Sequence, residues 1–182
     1  MMHIRLTIAT MILAATAVAM TPASAGAQCT ANGAPASCGV PGSVSMTAGR
    51  VVRLQMSAGS TSLTAPTTAD FDAGSNATTG PTLTVSANAP WALHIRAAAA
   101  TWTATNTSPG APARTNKPSS DLEWSTSSSG GFAALTASDA SLVTGTATAS
   151  NATTLYFQTL YDWTLDTPGN YSLSVVLTLT SP

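Results

Sequence analysis

The sequence predicts an all-β fold: a single Ig-like, Greek-key β-sandwich of roughly seven to nine strands, preceded by a cleaved signal peptide. Three observations predict it. Apolar and polar residues alternate with period two in many short runs, the mark of half-buried strands. The polar positions of those runs are mostly Thr and Ser, and Thr is β-branched and suits a strand. After the first 27 residues no stretch carries a convincing helical period, and a chain of 182 residues allows one domain or two small ones.

The opening segment reads as an export signal. Met1 to Arg5 is a short basic start, and Leu6 to Met20 is apolar apart from Thr. Thr21-Pro22 breaks any helix, and Ala23-Ser24-Ala25 and Ala25-Gly26-Ala27 offer small-x-small cleavage sites. The run is shorter than the roughly 20 apolar residues of a bilayer span, so cleavage is preferred to anchoring. Residues 1–27 are read as the signal, with the mature chain starting at Gln28, or at Gly26 if the earlier site is used. No second run of spanning length follows. The expected location is secreted or cell-surface.

Cys29 and Cys38 are the two cysteines of the chain. In an exported protein an even count pairs. Asn32-Gly33 between them is a turn signal that brings the two sulfurs together. The loop 29–38 is short, so the bridge contributes about 2–3 kcal/mol at most. It pins the mature N-terminus and does not organise the core. The spacing fits neither a zinc site nor a redox pair.

The strands follow in order along a single domain of residues 28–182. Val52, Leu54 and Met56 alternate with Arg53, Gln55 and Ser57. Leu83 and Val85 do so next, then Trp91, Leu93 and Ile95, then Leu122 and Trp124 around Glu123, then Leu155 and Phe157. The last run is the clearest: Tyr171, Leu173, Val175, Leu177 and Leu179 face the core, with Ser172, Ser174, Thr178 and Thr180 opposite. Val176 interrupts the polar side. Turn signals at Thr47-Ala48-Gly49, Gly74-Ser75-Asn76, Asn88-Ala89-Pro90, Gly130-Gly131 and Pro168-Gly169-Asn170 separate the runs. Residues 103–120 form the longest loop signal and hold Arg114 and Lys117. A loop of that length is functional or mobile.

Two stretches carry a family resemblance. Leu83-Thr84-Val85-Ser86-Ala87-Asn88-Ala89-Pro90-Trp91-Ala92-Leu93 resembles the first motif of WxL surface domains: a short strand, a turn, then Trp-x-Leu. Asp166-Thr167-Pro168-Gly169-Asn170-Tyr171, running into Val175 to Pro182, resembles that family's closing strand. It is equally similar to the closing strand of spore-coat-U-like and pilin-like bacterial sandwiches. The chain departs from the WxL pattern in one place. Leu177-Thr178-Leu179 stands where a second Trp-x-Leu is expected, and Trp163-Thr164-Leu165 falls before the turn. The resemblance implies an exported bacterial surface sandwich.

Composition limits the chemistry. Charged residues are 7% of the chain, against about 25% in a typical domain. The net charge of −1 and the lack of a basic cluster exclude nucleic acid as a partner. His94, the one His after the signal, sits on the polar side of its strand and reads as solvated. No Ser-His-Asp set can be proposed from the spacing, and no G-x-S-x-G occurs. Asp121/Glu123 and Asp162/Asp166 can be drawn as facing carboxylates, but nothing around them marks a pocket. Asp70-Phe71-Asp72-Ala73-Gly74-Ser75-Asn76 has calcium-loop spacing, yet Gly74 stands at the fifth position and no later Glu completes it, so a capped turn is preferred. Sequons at Asn76, Asn106, Asn151 and Asn170 matter only in a glycosylating host. The chain is expected to be no enzyme, with no cofactor and no metal.

Four tryptophans need places. Trp91, Trp124 and Trp163 each have Leu two residues away and are expected in the core. Trp102 opens the long loop. It is either core or an exposed indole that stacks on a sugar, with Arg114 and Lys117 as polar companions in a carbohydrate site. Tyr171, just after a turn, is either a tyrosine corner or an ordinary strand Tyr. The leading functional expectation is a structural or adhesive surface protein whose partners are the cell envelope or like subunits. The alternative is a module for wall polysaccharide, with a secreted hydrolase behind it.

Overall fold

The computed structural model describes residues 29–40, 42–107 and 112–182. The expected signal segment and its cleavage point lie outside the described residues, as do 108–111 of the long loop. The chain divides into two units, Met1–Thr47 and Ala48–Pro182. In the first, the described residues are exposed coil with one bend, closed by a Cys29–Cys38 disulfide with Cα atoms 5.8 Å apart.

The second unit is the β-sandwich. Five strands form one sheet in the order β1 (Val52–Met56), β2 (Ser75–Ala87), β8 (Thr148–Leu160), β5 (Leu122–Ser125) and β6 (Ala133–Ala134). Three form the other, with β3 (Trp91–Ala97) between β10 (Val175–Thr180) and β7 (Ala140–Gly145). A two-stranded piece joins β4 (Thr103–Thr105) to β9 (Asn170–Ser172). Every pairing is antiparallel. Of the ten strands, β4, β6 and β9 are only two or three residues long.

The core forms where the alternating faces of the two sheets meet. Leu83, Val85, Leu155 and Phe157 come from the five-stranded sheet, and Trp91, Leu93 and Ile95 from the other. Leu83, Leu93 and Ile95 are fully buried. Within β2, Gly80 is required for space: a Cβ there would lie 2.7 Å from the Phe157 ring. Pro81 follows it and has no N–H to give, and the β2–β8 register shifts between Thr79 and Thr82.

The last strand differs from expectation in one respect. It is two strands, β9 and β10, interrupted at Leu173-Ser174. The cause lies in the partner: β3 ends at Ala97, and the chain loops through 98–102 before pairing resumes as β4. Ala98 N–H donates to Ser174 O at 2.8 Å and bridges the break. The facing is as the alternation predicts. Tyr171, Leu173, Val175, Leu177 and Leu179 pack on the core. All five are half-buried, and Val175, Leu177 and Leu179 lie on β10, an edge strand.

A six-residue helix, α1 (Thr68–Ala73), was not expected. Thr67 caps it and Asp70 returns the bond: Thr67 Oγ1 accepts from Asp70 N, and Thr67 N donates to Asp70 Oδ2 at 2.7 Å. Gly74 closes it at φ +73°, a left-handed conformation that suits glycine. The calcium-loop spacing is thus a capped helical turn, and Ser75-Asn76, expected as a turn, opens β2.

Candidate functional site

The long loop is not free chain. β4 occupies its start, Thr101 bridges to Pro118, and Ser119–Asp121 is a 3-10 turn. Trp102 is buried at 5% exposure, with its indole N–H donating to Pro118 O at 3.0 Å. Of its two sequence readings, the structure places it among the core residues. The loop folds back over the sandwich and carries Arg114 and Lys117 inward.

Those two cations meet two carboxylates. Lys117 Nζ lies 3.0 Å from both oxygens of Asp166 and 3.1 Å from Asp121 Oδ2, and donates to Leu160 O at 2.9 Å. Arg114 Nη1 reaches Asp166 at 3.0 Å and Asp121 at 3.2 Å. Lys117 is 3% exposed. A lysine is rarely so buried unless paired, and here the charges balance, two against two. Arg114 and Lys117 are therefore committed to protein partners. The carboxylates drawn as catalytic candidates are committed too. Asp121 and Asp166 take these cations. Asp162 Oδ1 accepts from Thr164 N, Thr164 Oγ1 and Leu165 N. The hydrogen bond from the Thr164 side chain, with that from its backbone, holds the Asp162 carboxyl below its ordinary value.

Tyr171 completes the cluster. Its hydroxyl donates to Thr167 O at 2.6 Å, four residues upstream, and accepts from Arg114 N at 3.0 Å. It spans the turn that leads into β9 and ties the long loop to it. Gly169 lies in that turn.

Above the cluster opens a cavity of about 660 Å³. Lys117 and Asp166 lie at its base, and Trp102, Tyr161, Trp163 and Phe71 form its aromatic walls. Trp163 corrects the sequence reading: it is 58% exposed, and Leu165 beside it is 51% exposed. The reason is local. β8 ends at Leu160, and the Asp162 turn directs the indole away from the sheet. Asp72 Oδ1 then accepts the indole N–H at 3.1 Å, and Phe71 lies against the ring at a centroid distance of 4.6 Å. Phe71 also meets Tyr161 at 5.3 Å. Burial pushes the Tyr161 hydroxyl up, with the charges of Asp70 and Asp166 adding to it. The overlooked signal was Asp70-Phe71-Asp72: two acids around one aromatic, ahead of a Gly cap. The spacing reads as a capped turn rather than a calcium loop, and neither reading uses the aromatic ring between the two acids.

Elsewhere the candidates stay apart. His94 lies half-buried on β3 opposite Thr178. Glu123 sits on β5 opposite Gln158. Among the described residues, no group of three His, Cys, Asp or Glu is placed to hold a metal ion. Among the described residues no helix is long and apolar enough to cross a membrane. Comparison with known protein families and with curated protein sequences finds no match.

Proposed function

We propose that this chain is an exported, non-catalytic protein of the cell surface, structural or adhesive in role, acting against the envelope or against copies of itself. The observation that carries the reading is the use of charge. Four of the few ionisable side chains form one internal, charge-balanced knot that fastens the long loop to the 161–171 segment. Reactive chemistry needs such groups aimed at a substrate, with partners that tune them. A charge-poor sandwich whose strand exteriors are Thr and Ser instead presents a chemically inert surface. The disulfide and the signal-like opening fit a location outside the cytoplasm. The resemblance to WxL and spore-coat-U-like domains points the same way.

Fractionation of producing cells tests it. The protein is expected in the envelope or medium, with the intact mass of a chain lacking residues 1–27. Cytoplasmic protein that retains the apolar run would overturn the reading. Wall-polysaccharide binding stands as the second reading, favoured by the exposed Trp163.

A further inference from the structure

We propose that the cavity walled by Phe71, Tyr161 and Trp163 binds a neutral saccharide. The inference deepens the adhesive reading and rests on it. Three features of the cavity carry it. The first is the indole. A tryptophan exposed to 58% leaves a large apolar face in water, yet this one is held in place. Asp72 fixes its edge at 3.1 Å and Phe71 backs its ring at 4.6 Å. An aromatic face held this way presents itself to a ligand with little ordering left to do. The C–H faces of a pyranose ring are the apolar surface that such a platform stacks against.

The second feature is the rim. Thr64 and Asn170, both exposed, line the same cavity and provide hydroxyl and amide groups, which both donate and accept. Sugar hydroxyls need that dual capacity. A site with a few polar groups set in aromatic walls is the usual form of a small-molecule pocket. The third feature is charge. Lys117 and Arg114 are neutralised by Asp121 and Asp166, so the base offers no net positive charge. Asp70, Asp72 and Asp162 stand around the aromatic group without lysine or arginine hydrogen-bond partners among the described residues. An anionic glycan would meet uncompensated acid, and a neutral one would not.

The test uses the exported protein and a panel of soluble neutral oligosaccharides: cello-, manno-, xylo- and chitohexaose, with polygalacturonate as the anionic comparison. Trp91, Trp102 and Trp124 are buried, so acrylamide quenching of fluorescence reads Trp163. At least one neutral hexaose is expected to protect Trp163 from acrylamide, and polygalacturonate is not. Trp163→Ala is expected to weaken binding by tenfold or more in calorimetry, and Trp163→Phe to recover part of it. Arg53→Ala, on β1 and remote from the cavity, is expected to bind as the wild type does. Equal thermal midpoints for the variants separate lost binding from lost folding. Absence of binding across the neutral panel would overturn the proposal, as would unchanged affinity in Trp163→Ala. Protection that appears only with rising protein concentration would show a second copy in the site, and would overturn it too. Surface fractionation with no sugar binding would leave the surface reading intact. A cytoplasmic protein that binds sugar would separate the two the other way.

Discussion

Lys117 and Asp166, 49 residues apart in sequence, meet with the ammonium 3.0 Å from each carboxylate oxygen. Both side chains are almost wholly out of water, at 4% and 7% exposure. Such a pair stabilises little relative to a well-packed apolar pair of the same volume, but breaking it from one side leaves a charge buried without its partner. Asp166→Asn leaves Lys117 and Arg114 facing Asp121 alone. We expect a loss of about 3 kcal/mol in denaturant unfolding. Lys117→Met, which leaves Asp166 with Arg114, is expected to lose less. A shift under about 0.5 kcal/mol for Asp166→Asn would mean that the pair is solvated.

The edge position of β10 grades the cost of core truncation. Leu93, fully buried on the central strand β3, is expected to lose about 2–5 kcal/mol as Leu93→Ala. Leu177, half-buried on the edge strand, is expected to lose less, about 1–2 kcal/mol. Thr178→Ala on the outer face should lose under about 1 kcal/mol. Midpoints from urea titrations rank the three. Equal shifts for Leu177→Ala and Thr178→Ala would contradict the facing of β10.

Gly145 closes β7 beneath Trp91. A Cβ at this position would stand 2.6 Å from Cζ2 of that indole. The Trp91 N–H is already fixed to Thr146 O at 2.8 Å, so the ring has little room to withdraw. Gly145→Ala is therefore expected to destabilise by about 1–3 kcal/mol, as overpacking does. The near-ultraviolet dichroism of Trp91 should change with it. An unaltered spectrum and midpoint would show that the ring yields freely.

Acid should act through the turn at Asp162. Its carboxyl lies below its ordinary value because the folded chain hydrogen-bonds the charged form. A carboxyl depressed on folding contributes stability that is fully present above its unfolded value and disappears as pH falls through the folded one. Asp70, held down by the Thr67 side chain and backbone, acts with the same sign. Stability should therefore decline from about pH 4 downward, and Asp162→Asn should flatten that decline. A variant with the wild-type slope would remove Asp162 from the account.

The disulfide predicts a simple result in thiol labelling. Exported protein should show no reactive thiol before reduction and two after it. Two labelled cysteines without reductant would refute the bridge.

The strands were legible because a sandwich exposes one face of each, and that leaves period two in the sequence. Leu83, Leu93 and Leu155 could be placed in the core from alternation alone. The split between β9 and β10 was not legible, since its cause is the loop 98–102 in a partner about 75 residues away in the chain. Trp163 was misplaced for a related reason. A Leu two residues on suggests a shared strand face, but Asp162 turns the chain at that point and no strand exists there. Arg114 and Lys117 stand out in the sequence as rare cations in a long loop. That they turn inward depends on Asp121 and Asp166, and sequence spacing does not show the meeting of four side chains from separate segments.

The pairing of β3 with β10 has a further consequence, in time rather than in energy. Leu93 lies against Leu179, and on the other sheet Val85 lies against Asn151. Among the described residues only the β5–β6 ladder joins strands close in sequence, across the loop 126–132. Contacts this remote must first meet the entropy of closing large loops, and sandwiches of this kind fold in about milliseconds to seconds. Until the final ten residues are available, β3 has no partner on one side. A chain threaded outward from its N-terminus would thus have every partner of its five-stranded sheet by residue 160, yet would leave one side of β3 open until residues 175–180 arrive.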